Sequence, residues 1–168
     1  MKLKEAKEIA DKLVLDLEPC CVKVAVAGSI RREKPVVSDI DIVAAPKPYS
    51  VGFFMDGFAT VIEKFPAVKG SLPCKFTRRV LPEGINLDLY MCEPENWGLI
   101  YAIRTGSARF SHEVLAERWT RFGYKSKKGY LWRDGERFDV PTEQSLFERL
   151  ALAWVDPKDR EVTDAQCR

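Results

Sequence analysis

Along residues 3–17 the apolar side chains Leu3, Ala6, Ile9, Ala10, Leu13, Val14 and Leu17 recur three or four apart, with lysines and acids between them. That spacing turns one stripe toward a core and the charges toward water, and predicts an amphipathic helix ended by Pro19. The period then shortens. VKVAVAG (22–28) is rich in β-branched residues and reads as a strand, and after a basic interruption Ile40, Ile42 and Val43 continue a second strand until Pro46 and Pro48 stop it. Helical spacing returns over 54–65 through Phe54, Phe58, Val61, Ile62 and Phe65, weakened at Gly57. Residues 75–81 and 85–91 predict a hairpin closed by PEG; the second strand alternates, with Leu87 and Leu89 on one side and Asn86, Asp88 and Tyr90 on the other. Beyond Pro94 the period lengthens again. Trp97, Ile100, Tyr101 and Arg104 mark a helix, TGS (105–107) breaks it, and Ser107 can cap another helix running to about Gly123. A hairpin around RDGE (133–136) and a helix opening at Thr142, after Pro141, complete the pattern. The shift at 91–94 divides the chain into an expected first domain, 1–93, and a second, 94–168.

Composition narrows the class. With 168 residues and 46% hydrophobic content the chain can bury a core, and disordered and fibrous classes are set aside. No apolar run nears the roughly 18 residues of a membrane span, and the charged opening MKLKEAKEIADKL does not read as a signal peptide, so an intracellular, cytoplasmic protein is expected. Five cysteines without a C-x-x-C pair suggest reduced thiols, and a single histidine, His112, makes histidine-based metal binding or acid–base catalysis a poor fit. A net charge of +2 does not itself announce a nucleic-acid binder, but the basic residues cluster: Arg31, Arg32 and Lys34; Lys75, Arg78 and Arg79; Arg118, Arg121, Lys125, Lys127 and Lys128. On a shared face they would form a phosphate footprint; ordinary solvated charge is an equal alternative.

The candidate chemistry lies in GSIRREKPVVSDIDIV (28–43). Asp39 and Asp41 are two apart on a strand, so both leave the same face, roughly 6.6 Å apart along the chain. Two like charges so placed repel, and Asp is a poor strand former, so a divalent cation is the direct way to offset the cost. Asp88 alternates in the same way on another strand; if the strands are neighbours, three carboxylates converge. Hard oxygen ligands without histidine or thiolate match Mg²⁺, and a pair of such ions about 4 Å apart suits phosphoryl-type transfer. A lone D-x-D is more often a turn or a strand edge. Upstream, however, Gly28 and Ser29 form a turn whose backbone N–H groups and hydroxyl can approach phosphate oxygens, and Arg31 or Arg32 can neutralise developing charge.

These residues resemble the signature of the nucleotidyltransferase fold as it occurs in the DNA polymerase X family, the relatives of DNA polymerase beta. NLDLY (86–90) is similar to the family's strand with the third catalytic aspartate, IRTGS (103–107) to its Y-F-T-G-S segment, and PTEQSLFERLALAWVDPKDRE (141–161) to the end of its last domain. The likeness runs from about residue 8 to 161. It implies an α+β fold: a catalytic palm with a mixed or antiparallel sheet and helices on one face, then a small α+β thumb. It also implies that Asp39 and Asp41 bridge two Mg²⁺ ions, with Mn²⁺ an alternative, and that Asp88 holds the ion at the primer 3′-OH. Gly28, Ser29 and Arg32 would take the nucleotide's β- and γ-phosphates, and Arg104, Thr105, Gly106 and Ser107 would lie against its sugar, with Ser111 where the family has a minor-groove asparagine.

The expected function is DNA-directed DNA synthesis with dNTPs, in short-gap filling during repair, with pyrophosphate released. DNA, gapped or primer–template, would be held by Lys75, Arg78, Arg79, Lys125, Lys127 and Lys128, and a monomer is expected. The alternative is a template-independent nucleotidyltransferase acting on a small molecule, a protein or an RNA end. Ile103 and Arg104 replace the family's aromatic pair, which puts ribonucleotide use among the expectations. Asn86 stands where many relatives have an arginine two before the third aspartate. A minimal form without lyase or helix-hairpin-helix domains is expected. Trp97, Trp119 and Trp132 are read as core rather than as base-stacking platforms.

Overall fold

The structure, a computed structural model, describes residues 1–47 and 54–162. Pro48 and Cys167, both used in the sequence reading, lie outside the described residues. The chain forms two compact units, Met1–Pro94 and Glu95–Arg168.

In the first unit α1 (Leu3–Leu17) buries Ala6, Ala10, Leu13 and Leu17, the predicted stripe. A single 3-10 turn, Glu18–Cys20, carries Pro19 and leads into β1 (Cys21–Val26). A four-residue helix, α2 (Gly28–Arg31), leads to β2 (Asp39–Pro46), followed by α3 (Phe54–Glu63), β3 (Ala67–Lys69), β4 (Phe76–Val80) and β5 (Asn86–Met91). The five strands make one sheet in the order β1-β2-β5-β4-β3, with β2 and β5 parallel and every other pair antiparallel. Ile40, Ile42, Ala44, Leu87 and Leu89 face the core with the α1 stripe and with Phe58 and Ile62 of α3. Gly57 does not break α3: an added Cβ there would lie 2.7 Å from Cys20 Sγ, so the missing side chain is what admits the close approach. β3 was not foreseen, because its three residues are all exposed and carry no alternating pattern.

The second unit runs from α4 (Trp97–Thr105) through a π-helical segment (Phe110–Ala116) into α5 (Glu117–Arg121), a three-stranded antiparallel sheet of β6 (Lys125–Lys127), β7 (Tyr130–Arg133) and β8 (Glu136–Phe138), and α6 (Glu143–Arg149). Ser107 caps as expected, its Oγ accepting from Phe110 N at 3.1 Å. The uniform helix predicted after it is instead wound into wider turns over Phe110–Ala116 and closes on Gly123 (φ +77). Asp134 and Gly135 (φ +53 and +82) make the predicted tight turn between β7 and β8, and Lys128 and Gly129 (φ +56 and +87) make a like turn between β6 and β7 that the sequence did not signal. Trp97 and Trp119 are buried, as expected of core residues, whereas Trp132 is only half-buried and donates Nε1–H to Lys127 O at 3.2 Å.

The segment around Arg160 is held by a buried ion pair. Arg160, with no exposed surface, forks from Glu143 at the start of α6 to the Val155 carbonyl, stacks on Phe147 and Trp154, and offers its own carbonyl to Ser107 N. Removing one member of such a pair strands the other charge, a cost of about 3–5 kcal/mol. Glu143→Ala should therefore lower the unfolding free energy of the second unit by that amount, read in urea as a lower midpoint at an unchanged slope; a loss under about 1 kcal/mol would show that the pair does not hold the segment around Arg160.

Candidate functional site

The sheet's second face carries the charge. In parallel register Asp41 sits opposite Asp88 and Asp39 opposite Asn86, and in the antiparallel pair β4/β5 Arg78 sits opposite Asp88. Neighbouring strands lie about 4.8 Å apart, so Arg78, Asp88 and Asp41 form a row across three strands, with Asp39 one pleat along. The apolar residues between them, Ile40, Ile42, Leu87 and Leu89, are fully buried on the other side and fix the register, since a one-residue slip would drive the acids into the core.

The β1-to-β2 turn lies directly on this row. Ala27 N donates to Asp41 O at 2.8 Å, and Gly28 adopts φ +56; an added Cβ would fall 1.9 Å from Asp41 Oδ2. Only glycine allows the turn to approach the carboxylate so closely. Beside it, Ser29 Oγ is buried and has no hydrogen-bond partner among the described residues. Native buried hydroxyls are nearly always paired, so an orphaned one beside acids marks a place for a polar ligand. Arg32 follows at the end of α2, its N–H donating back to Gly28 O at 3.1 Å.

Arg78 supplies the positive charge on the face. Its Nε and Nη2 donate to the two oxygens of Asp88 at 2.5 and 2.6 Å, and Nη2 reaches Asp39 Oδ2 at 3.9 Å. Asp88 is nearly covered, its side chain 6% exposed, while Asp39 and Arg78 are about a third exposed. The hydrogen bonds and charge of Asp88, with Asp39 adding, raise the Arg78 guanidinium above its ordinary value. With Asp88 turned onto Arg78, no three His, Cys, Asp or Glu side chains among the described residues converge tightly enough to hold an ion. The donor set nonetheless fits a hard divalent cation: three carboxylates share one face, and a cationic side chain already bridges two of them.

Several expected site residues take other places. Arg79 was expected on DNA; it is buried on the core side of β4, donating to Thr77 Oγ1 and the Phe65 carbonyl. Arg78 is likewise committed, to Asp88. The alternation of FTRRV already separates the two, since adjacent strand residues point to opposite faces. Lys75 is exposed just before β4. In the second unit, Lys125, Lys127 and Lys128 are exposed on the β6–β7 hairpin, whereas Arg118 spends its guanidinium on the Leu150 and Ala151 carbonyls. Arg104 is exposed and Thr105 fully buried, so the Thr105 side chain is structural. Gly106 sits tightly, a Cβ there falling 2.6 Å from Phe110 Cδ1. The Ser111 hydroxyl, expected to reach a base pair, instead donates to Ile103 O at 2.7 Å, so its proton is not on offer. Cys21 and Cys92 are free thiols pushed up to about 12 by burial, which suits packing and not chemistry.

Gly28→Ala should destabilise the first unit by about 1–3 kcal/mol, combining left-handed backbone strain with collision against Asp41. Chemical denaturation measures it; wild-type stability in that variant would mean that the turn does not pack on the carboxylate.

No protein-family profile matches the chain, and no curated protein matches it in sequence. Solved structures do. The chain is similar to Leishmania infantum polymerase beta in a ternary P/T complex, at 17% identity and a TM-score of 0.77, over 96% of this chain and 77% of that one. It is similar to the same polymerase in a ternary gap complex at 17% identity and a TM-score of 0.75, over 95% of this chain and 70% of that one. The fold is α+β, a five-stranded mixed sheet with helices followed by a smaller α+β unit, and matches the palm and thumb of polymerase beta.

Proposed function

We propose that the chain is a nucleotidyltransferase that adds dNTPs to a DNA primer 3′-OH under template direction. Its place would be in short-gap filling during repair, inside the cell and as a monomer. The observation that carries this reading is the registered row Asp41–Asp88, with Asp39 on the same face and the Gly28–Ser29 turn packed against it. The likeness of the fold to polymerase beta complexes containing primer–template and gapped DNA supports the choice of acceptor.

In this reading Asp39 and Asp41 would hold two Mg²⁺ ions, and Asp88 would contribute to one of them. When bound, such ions supply Lewis acidity to the attacking and the leaving oxygen of an in-line displacement. Everything else is done by the chain. The Gly28 turn brings backbone close to Asp41, so a triphosphate bound there lies beside the carboxylates. Ser29 Oγ, unpartnered and buried, donates to a phosphate oxygen, and Arg32 neutralises charge on the leaving diphosphate. Gly106 and Ser107 present backbone to the sugar, held by Phe110 beneath and by the Arg160 carbonyl on Ser107 N. Lys75, Lys125, Lys127 and Lys128, all exposed, are the lysines proposed for DNA phosphates. Ser111 has no part in base-pair checking in this account, because its hydroxyl is committed to Ile103.

The test is primer extension on a one-nucleotide gap in Mg²⁺ with each templating base. Insertion should follow the template, and Asp41→Asn or Asp88→Asn should each slow it by about a thousandfold, the scale of losing several kcal/mol of charge stabilisation. Ser29→Ala should raise the KM for dNTP and leave DNA affinity unchanged. Insertion indifferent to the template would overturn the polymerase reading in favour of a template-independent transferase.

A further inference from the structure

The described site contains a cation of its own. Arg78 stands at the one position of β4 that registers with Asp88, and its planar fork occupies both Asp88 oxygens while the outer nitrogen leans toward Asp39. The preceding strand partner of Asp39 is Asn86, which carries no charge, so Arg78 is the guanidinium that the sheet itself brings to this carboxylate. An almost fully covered carboxylate left alone on this face would be costly, and Asp41 in the next strand makes it more so.

We propose that Arg78 is an intramolecular counter-cation for Asp88: it neutralises the site while no metal is bound and must release Asp88 before that carboxylate can ligate an ion. This rests on the metal-site reading above. A bidentate guanidinium uses one lone-pair direction on each oxygen, so Asp88 can meet a cation only through the directions that remain, or after the fork has opened. Arg78 is a third exposed and so has room to swing out, whereas Asp88 is held from below by the Leu87 and Leu89 packing. The arginine therefore moves and the acid stays. The consequence is an ordered site. Asp39 and Asp41 can bind a cation with the fork closed, and Asp88 joins last, when the charge gathered at the site outcompetes Arg78. The device keeps the face neutralised and folded at low metal concentration, at the expense of affinity.

The measurement is direct metal binding, independent of turnover: titration of free Mn²⁺ by electron paramagnetic resonance, with thermal unfolding in parallel, without nucleotide or DNA. If the fork leaves the competent arrangement about one-tenth populated, removing it raises the apparent affinity about tenfold. Arg78→Met should then bind Mn²⁺ about tenfold more tightly than wild type. Its Tm should be lower without metal and should rise more on adding Mn²⁺. Arg78→Lys, which keeps the charge and loses the fork, should fall between and guards against misfolding of the methionine variant. Arg78→Met/Asp88→Asn removes both charges and should lose the gain. Wild-type binding that Asp41→Asn abolishes, but that Arg78→Met and Arg78→Lys leave unchanged or weaken, would overturn the counter-cation proposal and leave the metal site standing. Absence of Mn²⁺ binding in wild type and in both Arg78 variants would overturn both.

Discussion

The parallel pairing of β2 with β5 is the constraint on which the rest depends. It sets Asp41 beside Asp88 on neighbouring strands, and two unit charges at the strand spacing of about 4.8 Å repel by about 3 kcal/mol at an effective dielectric of 20. The sheet accepts this because the opposite side chains of the same strands, Ile40, Ile42, Leu87 and Leu89, are wholly buried and leave no other register open. Hydrophobic packing on one face thus holds an unfavourable electrostatic arrangement on the other. Arg78 relieves part of it from β4, and under the proposed function bound cations would offset the remainder.

The surroundings of the acids follow from the same logic. Gly28 exists as glycine because the β1-to-β2 turn is pressed against Asp41, and the short α2 that follows leaves Ser29 Oγ buried without a partner. In the second unit the Gly106–Ser107 bend is set by contacts at a distance in sequence, Phe110 beneath and the carbonyl of Arg160 on Ser107 N. Arg160 is in turn fixed by Glu143 and two aromatic rings, so it braces a bend more than fifty residues before it.

Much of this was legible in the sequence. The stripe of α1, the alternation of β5, the helix opening at Thr142 and the turn at Asp134–Gly135 depend on local spacing and turn chemistry, and the structure contains them. So did the sharing of one face by Asp39 and Asp41. What was not legible depends on pairing across the sheet. The sequence put Arg78 and Arg79 together as a basic pair, although the strand sends one to Asp88 and the other into the core. The Glu143–Arg160 pair carries no local signal, because neither residue stands out until the chain folds back. β3 and β6 are three-residue strands whose identity comes from their neighbours, and the π-helical winding over Phe110–Ala116 has no sequence pattern that separates it from an ordinary helix.

The central claim is that Asp39, Asp41 and Asp88 form one cation site. Crystals of the protein soaked in Mn²⁺ and measured at the manganese edge test it most directly. The account predicts anomalous peaks about 2.1–2.2 Å from carboxylate oxygens of Asp39 and Asp41, with Asp88 reaching one of them once Arg78 has swung aside. Peaks elsewhere on the protein, with these three acids bare at saturating Mn²⁺, would contradict it.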